Sequence, residues 1–125
     1  HAWLERGGAR THVFYHARGT LNALPYAALD HDEQQGGAER LIVAPRDLDR
    51  LTIAVHRFSS GGSIRSARAR IRVEALDTQQ QVTRVIATRT VSDENPATWW
   101  HVFALDGAGD IRWDDAFKAE PPLPI

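Results

Sequence analysis

The chain contains no cysteine and no methionine. Without cysteine there is no disulfide, no thiolate metal site and no cysteine nucleophile, and the fold must be held by packing and hydrogen bonds alone. A chain that opens on His1 rather than methionine is expected to be a processed or trimmed product, from which any signal peptide would already be gone, and a domain of a longer protein would look the same. Net charge is also scarce, at −1, which gives no general electrostatic reason to expect nucleic acid or an anionic membrane as a partner. The longest apolar runs are a few residues, too short to cross a bilayer as a helix, so no membrane insertion is expected.

What remains is ordinary globular material. Apolar residues make up 42% and charged residues 25% of 125 residues, enough for one core and too little for two. Turn chemistry recurs at short intervals: Arg6-Gly7-Gly8, Gly19 to Pro25, Gln35-Gly36-Gly37, Pro45-Arg46-Asp47, Ser59 to Ser63, Asp77-Thr78, Asp93 to Pro96 and Gly107-Ala108-Gly109. Short segments punctuated this way point to a sandwich or barrel. The segments themselves alternate. Ala67, Ala69, Ile71, Val73 and Ala75 share one face, while Arg68, Arg70, Arg72 and Glu74 share the other. That period of two marks a strand with one face in a core and one in water. Residues 64–76 and 80–91 read as a long hairpin. The fold class expected is all-β, an antiparallel β-sandwich (Ig-like or jelly-roll-like) of seven to nine strands with little or no helix. Only Asp114 to Ala119 offers a possible helical turn. Residues 1–117 form a single domain in this reading, and 118–125 a Pro-rich tail.

Candidate chemistry is sparse. Asp30, Asp32 and Glu39 could supply carboxylates to calcium, which favours several oxygen ligands from a flexible loop. The blander reading of the same loop, and the favoured one, is a solvated turn whose Asp side chains bond nearby backbone amides. Among six histidines, none forms a paired zinc motif. His12 and His16 would share a strand face, but about 13 Å apart, too far for one metal. His1 differs. If exposed by signal cleavage, its amine and imidazole could chelate copper, joined by a second histidine from a neighbouring strand. No nucleophile elbow and no phosphate loop is present. Arg68, Arg70 and Arg72, with Arg84 or Arg89 opposite, could bind an acidic glycan or partner, or simply solvate a face. Trp99 and Trp100 fall on opposite faces of a strand. Because Phe103 shares parity with Trp99, Trp99 is expected inward and Trp100 partly exposed, as a binding residue.

Three stretches, in order, resemble the YfaP-like family of exported bacterial domains. They are His1-Ala-Trp-Leu-Glu5 with Thr11-His-Val-Phe-Tyr15; Leu29-Asp-His-Asp-Glu33 with Gly36-Gly37-Ala38-Glu39; and Trp100-His-Val-Phe103 with Leu105-Asp-Gly107 and Asp110-Ile111. Val55-His56-Arg57-Phe58 fits the family's "Val-His-x-Phe" strand, while Ala38 stands where the family has Pro. The resemblance implies a β-sandwich with an accessory role and no catalytic residues. The function expected is a non-catalytic recognition domain, secreted or periplasmic, binding a protein or glycan through loops and an exposed sheet face. The alternatives are a periplasmic protein that binds copper or calcium and a small glycan-active enzyme.

Overall fold

A computed structural model describes residues 1–30, 40–56, 70–77, 82–90 and 99–124. It is all-β, with no helix among the described residues. The chain divides into two units, residues 1–58 with 97–125, and residues 59–96.

The larger unit is built on a five-stranded antiparallel sheet. Its strands are β1 (Ala2–Arg6), β2 (Ala9–Val13), β6 (Arg50–His56), β9 (Trp99–Asp106) and β10 (Ile111–Lys118), in the order β10-β9-β6-β1-β2. A second sheet contains β3 (Gly19–Thr20), β4 (Ala27–Leu29) and β5 (Leu41–Val43). The two sheets meet through apolar side chains. Ala2, Leu4, Val13 and Leu51 of the large sheet are buried with Ala27 and Leu48, and Leu29, Leu41 and Val43 pack against them. This is the two-layer arrangement that the alternating strands predict.

Arg6 adds a polar latch at the end of β1. Its guanidinium donates to the carbonyls of Arg46 (2.7 Å), Ala44 (2.9 Å) and Pro25. It thereby satisfies loop carbonyls that no strand partner reaches. Gly19 is fixed by space and conformation together. Its φ is +78°, and a Cβ there would lie 2.2 Å from the Ala27 carbonyl oxygen.

In the large sheet, residues directly opposite share a face. The face toward the small sheet, here the sandwich face, carries Ala2, Leu4, Val13, Leu51 and Ile53. The reverse face carries Trp3, His12, Thr52 and Ala54. Parity on β9 changes midway. Ile53 pairs with Phe103 but Ala54 pairs with His101, so Val102 is an extra residue, a β-bulge. Trp100 therefore shares the sandwich face with Phe103, opposite Val55, and Trp99 lies on the reverse face opposite His56.

This corrects the expectation for Trp100. It is 0% exposed, its indole Nε1–H donates to Asp115 Oδ1 at 2.7 Å, and it stacks with Phe117 at 6.3 Å between ring centroids. Trp99 is also buried, because both faces of the sheet are covered at this point. The helical turn expected at Asp114 to Ala119 is likewise replaced. β10 continues to Lys118, with a register shift between Trp113 and Ala116 and Asp115 at φ +46°.

The smaller unit contributes the expected hairpin, β7 (Arg70–Asp77) paired with β8 (Val82–Thr90). Ile71 and Val73 are half-buried, while Arg72 and Glu74 are exposed, as alternation requires. The register sets Thr90 and Thr88 opposite Arg70 and Arg72. Arg89 lies across from Ile71 and Arg84 across from Ala75, so the arginine pairs expected across the hairpin do not form.

Candidate functional site

The reverse face of the five-stranded sheet, here the ring face, gathers aromatic and imidazole rings from four strands or their extensions. His1 continues β1: its amine donates to the Ala54 carbonyl at 3.0 Å, and the Ala54 N–H donates back at 3.1 Å. That pairing places the His1 imidazole beside His12 of β2, with ring centroids 5.0 Å apart and planes 16° apart. His12 stacks on Trp3 at 4.5 Å and on Phe14 at 4.2 Å. On the other side, His1 meets Trp99 edge-on at 4.8 Å, and Trp99 stacks on His56 at 4.4 Å. The ladder thus runs across β2, β1, β6 and β9. Its base, Trp3 and Trp99, is buried; His1, His12 and Phe14 are half-buried; His56 is exposed.

Local structure extends the ladder at one end. After β2, Phe14 and Ala17 bridge through paired backbone bonds of 3.0 Å, which turns the chain tightly. Tyr15 and His16 sit at the tip of that turn, both exposed, with ring centroids 4.0 Å apart. His16 is therefore off the strand that was expected to carry it.

The polar atoms of the ladder are specific. His1 Nδ1 and His12 Nε2 lie 2.9 Å apart and share one hydrogen bond. His12 Nδ1 is buried without a hydrogen-bond partner. Burial, with the positive amine of His1 as a second cause, lowers the His12 pKa from 6.5 to about 4. His12 is thus neutral at physiological pH. The sequence signal for this pairing was present in the even offset from the Arg6-Gly7-Gly8 turn, which fixes Trp3 opposite His12. The stacked ladder needs strand order as well, and sequence does not supply it.

A second feature adjoins the ladder. The segment after β10 folds back over the ring face: Trp3 Nε1–H donates to the Pro124 carbonyl at 3.1 Å, and His101 Nε2 pairs with the Glu120 carbonyl at 2.7 Å. Leu123 packs on Trp3, Ala54 and Trp99. Between this segment and the sheet is a cleft of about 400 Å³.

The residues picked from sequence are dispersed. His1 joins the ladder. Asp30 is exposed, and Asp32 and Glu39 lie outside the described residues. Arg68 also lies outside them; Arg70 holds a strand position in β7; Arg72 pairs with Glu74 at 2.8 Å, with both side chains exposed. Among the described residues no group of three or more His, Asp or Glu side chains converges to hold a metal ion. No family model, no curated protein and no solved structure matches the chain.

Proposed function

We propose that the chain is a non-catalytic recognition domain of an exported protein, which holds a protein or glycan ligand against the ring face. The observation that carries this reading is the ring ladder, from buried Trp3 and Trp99 through half-buried His1, His12 and Phe14 to exposed His56. Aromatic side chains offer wide contact area at small cost in rotamer entropy, and they dominate the energetics of binding surfaces. A glycan would lay its C–H face on such rings, and the imidazole nitrogens would bond its hydroxyls. The test is a glycan array probed with the wild type and with His56→Ala and Phe14→Ala. Retained binding by both variants removes the ring face from the reading. Turnover of a bound ligand, abolished by one substitution, ends the non-catalytic assignment.

A second reading follows from the His1–His12 contact. The planes of the two rings are almost parallel, and the paired nitrogens are 2.9 Å apart. Were copper(II) bound, His1 and His12 would hold it as two adjacent nitrogen ligands, and nitrogens each about 2.0 Å from one ion at a right angle would lie about 2.8 Å apart. The observed separation would suit such a pair once both rings turn their lone pairs toward the ion rather than toward each other. The lowered pKa of His12 keeps that ligand deprotonated. Calorimetric titration with copper(II) tests this. Binding lost in His12→Ala supports the pair, and binding unchanged in that variant rejects it. A residue added ahead of His1 then reports whether the amine takes part.

A further inference from the structure

We infer that the cleft between the ring face and the folded-back segment after β10 binds an oxyanion group carried by an acidic sugar. This goes beyond the ring-face reading and does not depend on it. Three cations border the cleft: Arg50 of β6, Arg112 of β10 and Lys118 at the end of β10. Their ties are weak or absent. Arg50 Nε lies 3.9 Å from Glu5, and Arg112 Nε lies 3.5 Å from Asp114 with its side chain 69% exposed. No ion pair engages Lys118 among the described residues. Guanidinium forks match the planar oxygens of a carboxylate or sulfate, and the bond is charge-assisted.

The floor supplies an independent sign of a missing partner. Thr52 lines the cleft and is 5% exposed, yet its Oγ1 is buried without any hydrogen bond. A buried hydroxyl left unpaired is costly, and a ligand oxygen would satisfy it once a neighbouring side chain of the lining shifts to admit it. The remaining lining argues for a sugar rather than a bare ion. Pro121, Pro122 and Leu123 form an apolar roof, which suits the C–H face of a pyranose. Asp114, the acidic residue in the lining, disfavours a second negative charge and can accept hydrogen bonds from sugar hydroxyls. A volume of about 400 Å³ lies in the range of small-ligand sites and is far larger than an ion requires.

The test is a titration of the full chain with galacturonate, which carries a single carboxylate, followed by ¹H–¹⁵N spectra. The indole signal of Trp3, whose N–H bonds the roof at Pro124, is expected to shift. Binding is expected to weaken as salt rises. Arg112→Ala and Lys118→Ala should each weaken it about tenfold, as for loss of one charge-assisted hydrogen bond. Thr52→Val should weaken it several-fold, while Arg18→Ala, on an exposed position away from the cleft, leaves it unchanged. His56→Ala should also leave it unchanged, which separates this site from the ring ladder. Equal binding of neutral lactose overturns the proposal, as does equal binding of inorganic sulfate, which reduces the cleft to an ion site. Absence of any shift at 10-fold molar excess and millimolar protein, about the weakest range such a site would occupy, overturns it too.

Discussion

The two faces of the five-stranded sheet are buried by different means. The sandwich face meets a second sheet through aliphatic side chains, Leu4 and Leu51 against Leu29, Leu41 and Val43, and almost nothing polar is enclosed there. Among the described residues of the larger unit, no second sheet packs on the ring face. That face is covered by its own stacked rings and by one returning segment, and it encloses polar atoms of the sheet's own strands: Thr52 Oγ1 of β6 and His12 Nδ1 of β2 both lack partners. The same strands therefore carry a face optimised for packing and a face that leaves hydrogen-bonding capacity unspent. Buried unsatisfied groups are rare in native folds, and their occurrence on this face is what motivates the proposal of a binding role for it.

The comparison breaks most sharply at Trp100. If the sandwich face is the structural one, Trp100→Ala removes a fully buried indole, its stacking on Phe117 and its bond to Asp115. The expected cost is about 3–5 kcal/mol, the usual range for truncating a buried aromatic. Denaturant unfolding of Trp100→Ala and Phe103→Ala should give comparable losses. A loss for Trp100 far below that for Phe103 would return Trp100 to the surface.

Arg6→Ala comes next. The variant leaves the carbonyls of Arg46, Ala44 and Pro25 without their donor, and should cost on the order of 2 kcal/mol. Arg6→Lys should recover only part of this, since one ammonium cannot reach three carbonyls in the geometry of a planar fork. Full recovery by lysine would show that charge alone, not the fork, joins β1 to the loops of the small sheet.

Much of this contrast is legible in the sequence up to a definite point. Alternation and turn residues give the class and most strand positions, because a period of two is a local property of the chain. They fail at Val102 and around Asp115, where a bulge and a positive φ shift register without leaving a compositional mark. One extra residue in β9 moved Trp100 to the face opposite the one its parity implied. Strand order is equally silent in the sequence. His1, His12, His56 and Trp99 come together only because β6 inserts between β1 and β9. The cleft was unreadable for the same reason: it needs the return of residues after β10 across a face set by distant strands.

On the ring face, pH offers a smaller and reversible perturbation. His12 has a folded-state pKa of about 4, below its ordinary 6.5. Between those values the unfolded chain binds a proton that the folded chain does not, so stability falls as pH drops from 6.5 toward 4. The loss in the metal-free protein should be on the order of 1 kcal/mol, discounted because the site is only half-buried. Replacing His12 with Phe should flatten that part of the profile. A wild-type melting temperature that is level from pH 7 to pH 4.5, after carboxylate effects are subtracted with the His12→Phe variant as baseline, would contradict the burial of this imidazole.

The smallest effect is expected at Thr52, and its sign is what matters. Thr52 is 95% removed from solvent, since it is 5% exposed, and its hydroxyl makes no hydrogen bond. Valine has the same branched shape and lacks only that hydroxyl. Removing an unsatisfied buried polar group while keeping shape is neutral or stabilising, in contrast to removing one member of a formed pair. Thr52→Val should therefore change stability by about 0 to +1 kcal/mol in the favourable direction, read by chemical denaturation. The adjacent sandwich face supplies the control. Ile53→Thr places a hydroxyl among the aliphatic residues of that face and should destabilise by about 1–3 kcal/mol. If Thr52→Val instead costs stability comparable to Ile53→Thr, the Thr52 hydroxyl already has a partner in solution. The cleft floor would then hold no unspent hydrogen bond for a ligand to complete, and the polar asymmetry between the two faces would rest on His12 Nδ1.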